Sequence, residues 1–155
     1  MRYLSFCLSV CAAPVLADCP DPTMDGVAYL VAGPDLIAPQ TWDVRAQGDV
    51  AVPCQGWIAQ GLNAGVVEGF FAQAPTAIFR LSRMGPHILM VMAEGECGAI
   101  LATRTGDGLW SFGQTRNGRE EITLWGAGNG PMQVWVGSAT AQGCDAALTL
   151  ETFDR

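Results

Sequence analysis

The sequence predicts an all-β fold, built as a single antiparallel β-sandwich of about eight to ten short strands. Short apolar segments, several with alternating apolar and polar residues, recur at close to the spacing that is typical of sandwiches and jelly rolls. Turns rich in glycine and proline separate these segments, and none of them has the sustained period of an amphipathic helix. Cysteines near the two ends of the patterned C-terminal half predict that disulfides brace the sandwich.

The N-terminus has the features of a secretory signal peptide. Arg2 gives a positive start, and residues 3–13 form an apolar run that is too short to span a bilayer. Val15 and Ala17 occupy the minus-three and minus-one positions of a cleavage site. We therefore predict a signal peptide over residues 1–17, an N-terminal arm over 18–25 and a β-sandwich domain over 26–155. A lipoprotein signal is the alternative because Cys19 follows closely, but the charged Asp18 before it does not suit lipid attachment.

Cysteine usage predicts two disulfides in the exported chain. The sequence has six cysteines, and cleavage after residue 17 would remove two of them. The four that remain are Cys19, Cys54, Cys97 and Cys144, which allow three connectivities. Cys97 and Cys144 each begin a strand of the patterned half, so we pair them and pair Cys19 with Cys54. Their spacing does not match a zinc site, so we expect no metal and no cofactor.

The chain after the arm divides into strand candidates joined by turns. In the N-terminal half the candidates are residues 26–31, 41–46, 49–52, 66–73, 76–83 and 87–93. In the C-terminal half they are residues 99–104, 109–112, 121–125, 133–137 and 146–153. The unbroken apolar run over 87–93 predicts a central strand that is covered on both faces. Residues 55–65 have little pattern and are predicted to be a loop.

Charge excludes several classes of partner. The formal net charge is −7, and the chain has no lysine. Signal cleavage would leave seven arginines against fifteen acidic residues, for a formal charge of −8. Nucleic acids and anionic membranes are bound by clustered positive charge, so neither is expected as a partner. No apolar stretch after the signal is long enough to span a membrane, which leaves a periplasmic or secreted protein.

The sequence offers no persuasive nucleophile. Cys54 would need a free thiolate and a histidine partner, but His87 is the only histidine and exported cysteines are usually bridged. A serine hydrolase would need a strained elbow, and the glycine spacing around Ser111 and Ser138 does not fit one.

Two other patterns also have ordinary structural interpretations. Carboxylates occur in pairs at Glu94/Glu96 and at Glu120/Glu121, where a solvated turn is more common than a catalytic pair. Residues 126–130 have the glycines of a nucleotide-binding run, but a strand-like segment follows instead of a helix. We therefore predict a hairpin loop there.

The chain has five tryptophans, and two of them are candidate binding residues. Aromatic side chains on the solvent face of a sandwich are common contacts for glycans and proteins. In a hairpin around residues 126–131, Ile122 and Val134 would face the core. The same alternation would place Trp125 and Trp135 together on the outer face beside Glu121. These three residues are the predicted ligand-binding set, and no catalytic residue is predicted.

Several motifs resemble small bacterial exported domains similar to the pre-peptidase C-terminal (PPC-like) family. The matching segments are residues 40–42, 48–50, 94–97, 108–112, 132–137 and 144–153. This resemblance implies a β-sandwich found beside secreted peptidases or as a free-standing exported protein, and it implies no catalytic residue. Members of the family carry a run of aspartates after the Trp-x-Phe strand, whereas residues 113–118 of this chain contain no carboxylate. A calcium site at that turn is therefore not expected.

Together these observations predict a non-catalytic exported binding or accessory domain whose partner is a protein, a glycan or an envelope component. The alternative is an accessory domain of a secreted peptidase, or a hydrolase of a type that the sequence does not reveal.

Overall fold

The structure is a computed structural model that describes residues 19–62 and 64–154, and these residues form two packed β-sheets. The predicted signal peptide lies outside the described residues. The strands are β1 (Val27–Ala32), β2 (Gln40–Ala46), β3 (Val50–Val52), β4 (Gly69–Phe71), β5 (Ala77–Ser82), β6 (His87–Gly95), β7 (Ala99–Thr105), β8 (Trp110–Phe112), β9 (Gln114–Arg116), β10 (Arg119–Leu124), β11 (Gly130–Ser138) and β12 (Cys144–Asp154). Helical segments are the short helix α1 (Gln55–Ala59) and 3₁₀ turns at Gly33–Leu36 and Ala64–Val66.

The seven-stranded sheet is organised around β11. One edge of β11 pairs with β7, which in turn pairs with β8. The other edge pairs with β5 along its first half and with β4 near its end. Strands β1 and β3 lie outside β5 and β4, respectively. The second sheet has five strands in the order β2, β12, β6, β10, β9.

The main core lies between the two sheets. Side chains alternate along each strand, so every second residue of β11 and of β12 faces this layer. Met132, Val134 and Val136 enter it from β11, while Leu148 and Leu150 enter it from β12. All five are buried, and burial of large aliphatic side chains is the main favourable contribution to such a fold.

A second apolar cluster covers part of the outer face of the seven-stranded sheet, and we call it the outer cluster. Trp57 of α1 is 1% exposed, and its ring centroid lies 5.0 Å from that of Trp110 and 4.9 Å from that of Phe112. Trp110 in turn lies 4.8 Å from Trp135, whose indole N–H donates to the carbonyl of Gln73 at 3.3 Å. The part of the seven-stranded sheet beneath the outer cluster, including Trp135 of β11, is thus apolar on both faces.

The two disulfides join the pairs that the sequence predicts, Cys97 with Cys144 and Cys19 with Cys54. The first connects the end of the β6–β7 turn to the start of β12. The second attaches the N-terminal segment to the residue that precedes α1, and the two cysteines contribute to the outer cluster.

The all-β sandwich fold predicted from the sequence is confirmed, with local differences. Twelve strands occur in the described residues, more than expected, partly because β9 lies in a stretch without strand signal. Strand β1 pairs with β5 in parallel, whereas all other pairs are antiparallel. The predicted loop over 55–65 includes α1, because one large apolar residue, Trp57, holds this short helix on the sheet.

The hairpin predicted around residues 126–131 is wrong. Strand β10 pairs with β6 and β9, whereas β11 belongs to the other sheet. The predicted inward orientation of these side chains is nevertheless confirmed, because Ile122 of β10 and Val134 of β11 both contribute to the main core. Two strands with inward apolar residues can share a core either as neighbours in one sheet or as members of the two opposed sheets. Strands β10 and β11 belong to opposed sheets.

Replacing Trp57 with alanine should destabilise the fold strongly. The change removes a buried indole and leaves a cavity, for which about 3–5 kcal/mol of unfolding free energy is expected to be lost. Ile58→Ala on the same helix is the control, because Ile58 is 52% exposed, and its cost should stay within about 0.5 kcal/mol. Denaturant unfolding of both variants measures the difference. Equal losses would show that α1 does not hold the outer cluster together.

The turn after β7 contains Asp107, a carboxylate that accepts hydrogen bonds from its neighbours. Thr105 donates its hydroxyl to Asp107 at 2.5 Å, and the main-chain N–H of Leu109 donates to the same carboxylate oxygen at 3.3 Å. These hydrogen bonds, with that from the Thr105 side chain as the larger cause, lower the pKa of Asp107 below its ordinary value. A similar turn lowers the pKa of Asp21, mainly through the Thr23 hydroxyl.

Asp107 should therefore make stability depend on pH in the acid range. A lowered folded-state pKa contributes stability above the unfolded-state pKa, and this stability is lost as the pH falls through the folded-state value. Asp107→Asn should be less stable than the parent protein near neutral pH, and the difference should shrink on acidification. Unfolding curves across this pH range measure it. Thr105→Val should remove the same pH-dependent difference, and if it persists, the hydroxyl is not its source.

Candidate functional site

Neither apolar cluster of the described residues covers the outer face of the five-stranded sheet. Alternation along β6, β10 and β12 assigns its residues, because the partners of outward residues also point outward. From the middle of this face, Met92 pairs with Thr149 on one side and with Glu121 on the other. Glu121 pairs further with Gln114 of β9.

One end of this face has a row of apolar side chains, which we call the apolar row: Ile88, Trp125 and Phe153. Phe153 pairs directly with Ile88. Trp125 is the first residue after β10, whose last residue, Leu124, pairs with Leu89 beside Ile88. Trp125 is 69% exposed and Phe153 is 41% exposed. Two exposed aromatic residues and an aliphatic residue at one end of a sheet face make a surface that is favourable to cover.

The opposite end of the same face is charged. Arg45 of β2 forms an ion pair with Asp145 of β12 at 3.0 Å, and both side chains are largely exposed. Asp43 and Glu94 lie near this pair, on the wall of a wide depression of about 1130 Å³. An exposed pair of this kind contributes little stability. The face therefore divides into an apolar end and a charged end.

The structure separates the three predicted ligand-binding residues. Trp125 is exposed in the apolar row, whereas Trp135 is 0% exposed within the outer cluster on the other sheet. The prediction that these two indoles lie side by side is wrong, because their strands belong to different sheets. The Glu121 side chain lies on the same face as Trp125 but is 12% exposed, and the Nε of Arg119 donates to it at 2.7 Å.

Phe153 and Ile88 are the binding candidates that the sequence did not reveal. Phe153 lies near the end of the last strand, β12, and points to the face away from that of its buried neighbour Thr152. Residues 87–93 form an unbroken apolar run, so nothing in the pattern marks Ile88 as outward. Only the pairing of β6 with β12 places the two together.

The candidate nucleophiles and their base are held in structural positions. His87 is 4% exposed, and its Nδ1 lies 3.1 Å from the carboxylate of Asp154. The angles do not suit a hydrogen bond, and neither ring nitrogen has a hydrogen-bond partner among the described residues. A Cβ on Gly33 would lie only 2.4 Å from the His87 ring, so the glycine gives the imidazole its space. Cys54 is in a disulfide, and Ser138 is 0% exposed, with its hydroxyl bonded to Thr140.

The paired carboxylates do not form a catalytic pair. Glu94 and Glu96 are exposed around the turn that leads to Cys97. Glu120 and Glu121 point to opposite sides of β10. Glu120 is buried and accepts a 2.5 Å hydrogen bond from the hydroxyl of Thr115.

In the part of the chain that the structure describes, no group of three or more histidine, cysteine or acidic side chains is arranged to hold a metal ion. The stretch over residues 113–118 contains β9 and a tight turn in which Asn117 and Gly118 both have positive φ, a geometry that favours these two residue types. Within the described residues, no helix has the length and apolar character needed to cross a membrane.

Comparison with known proteins gives a similarity of fold. No protein-family model matches the chain, and no curated protein matches it. Among solved structures, the chain is similar to the pre-peptidase C-terminal domain of collagenase from Bacillus anthracis, over 84% of this chain and 99% of that one. The TM-score is 0.46 and the sequence identity is 10%. This similarity concerns the fold alone.

The exposure of the tryptophans can be measured by fluorescence. Trp125 is 69% exposed, whereas Trp57 and Trp135 are buried. Trp125→Phe should therefore remove most of the emission that acrylamide quenches, because a quencher in solution reaches only exposed indoles. Trp135→Phe is the matched control and should leave the quenchable emission in place. The opposite result would mean that β11 presents its outer face to solvent.

Proposed function

We propose that this chain is a non-catalytic exported domain that binds a protein partner through the apolar row. The observation that carries the proposal is the exposure of Trp125 and Phe153 at one end of an open sheet face. Aromatic side chains of this kind supply much of the binding energy at protein interfaces, especially when polar residues surround them.

The surroundings of the apolar row suggest the chemistry of the partner. Glu151 pairs with Met90 in the adjacent row of the sheet, and Asp154 follows Phe153. The partner should therefore present apolar side chains flanked by basic ones, because charges of opposite sign across a rim favour association.

A protein fits this face better than a glycan does. Sugar sites combine an aromatic ring with several polar groups that converge in a recess. Here the other members of the apolar row are Ile88 and Phe153, which offer no side-chain hydrogen bond. An accessory role beside a secreted peptidase is one form of the proposed function, and the PPC-like resemblance of the sequence suggests it.

Two observations support a non-catalytic role and an exported location. His87 is buried and all four described cysteines are in disulfides, so the usual activated nucleophiles are not accessible. Stable disulfides form in oxidising compartments such as the periplasm or the extracellular space.

Site-directed photocrosslinking in the exporting cell tests the proposal. A p-benzoylphenylalanine replacing Phe153 should form a discrete protein adduct, and the same group replacing Leu109 is the control, because Leu109 is 66% exposed on a turn of the other sheet. Adding Trp125→Ala to the Phe153 probe should reduce the adduct at least about tenfold, since a lost aromatic anchor costs more than about 1.4 kcal/mol.

Equal crosslinking from the two positions, or an adduct that survives Trp125→Ala, would reject the apolar row as the binding site. A glycan array bound by the parent protein and not by Trp125→Ala, without a protein adduct, would establish the glycan alternative.

A further inference from the structure

The edges of the two sheets differ in how they are protected against pairing with another chain. Strands β3, β8 and β9 are edge strands of only three residues each. The edge strand β2 is longer, but it carries Asp43 and Arg45 on its outward face. Short strands and charged residues are the usual protections of an exposed edge.

Strand β1 has neither protection. Its six residues, Val27–Ala32, contain no charge and no proline, and β5 is its only strand partner in the described residues. Leu30 is 82% exposed and Val27 is 59% exposed. A regular apolar edge with unpaired main-chain groups is suited to accept a further strand.

We propose that the strand added to β1 is β1 of a second copy of this chain, in an antiparallel pair with two-fold symmetry. Self-pairing of an uncharged strand brings no like charges together, whereas the net charge of −7 opposes contact through most other surfaces. An interface that is the same on both subunits closes on itself, so the product is a dimer rather than a fibre.

The core-facing residues restrict the register of this pair. Tyr29 and Val31 of β1 pack against the main core, and directly opposed residues must point to the same side of a continuous sheet. The two-fold axis must therefore pass beside a residue, and axes at Tyr29 and Leu30 give the longest overlap of the two copies of β1. With the axis at Tyr29, each Leu30 lies opposite the partner's Ala28, a large side chain against a small one.

The resulting interface is small. It consists of one ladder of main-chain hydrogen bonds and the contacts of Leu30, which is below the roughly 1,200 Å² typical of stable complexes. We therefore expect a weak dimer that dissociates on dilution.

Sedimentation of the purified exported chain from about 1 µM to about 1 mM tests the dimer. The parent protein should pass from monomer to dimer, and Leu30→Arg should remain monomeric with an unchanged fold, because this side chain is 82% exposed. Leu109→Arg is the matched control and should dimerise like the parent. A monomer at every concentration, or a dimer that Leu30→Arg leaves intact, would overturn the proposal.

A separate variant distinguishes this interface from the apolar row. Trp125→Ala should dimerise like the parent protein, and loss of the dimer in that variant would assign self-association to the apolar row instead of β1.

Discussion

Burial of both faces of β11 is the constraint on which the rest of the structure depends. Val134 and Val136 face the main core, while Trp135 between them faces the outer cluster, and all three are almost completely buried. A strand of this kind needs a cover on each side. The five-stranded sheet supplies one cover. The other comes from Trp57 on a short helix whose preceding residue is tied by a disulfide.

This arrangement determines which surfaces remain open. The segment that carries α1 covers part of the outer face of the seven-stranded sheet, whereas neither cluster covers the outer face of the five-stranded sheet, where Trp125 and Phe153 are exposed. The cover does not extend to the edge of the seven-stranded sheet at β1, where Leu30 is exposed. Both proposed interaction surfaces are thus parts of the sandwich that the two apolar clusters do not use.

Much of the fold could be predicted from the sequence, because alternation reports which residues face inward. Ile122 and Val134 were correctly predicted to face the core, and the two disulfides pair as predicted. Strand pairing could not be predicted, because the alternation of β10 and β11 is the same whether the two strands are neighbours in one sheet or belong to opposed sheets. The cover over Trp135 was missed because residues 55–65 lack periodicity and depend on the single contact residue Trp57.

The two proposed surfaces lie on different sheets, and this has a consequence for affinity. Pairing through β1 would use the edge of the seven-stranded sheet and leave the apolar row of each subunit on its own five-stranded sheet. Each dimer would then present two identical apolar rows. A row of three apolar residues is a small anchor and binds weakly alone, but two rows on one dimer raise the effective concentration for the second contact. Binding to a repetitive or membrane-associated partner would therefore be much tighter than binding to a single soluble one, and it would depend on Leu30 as well as on Trp125.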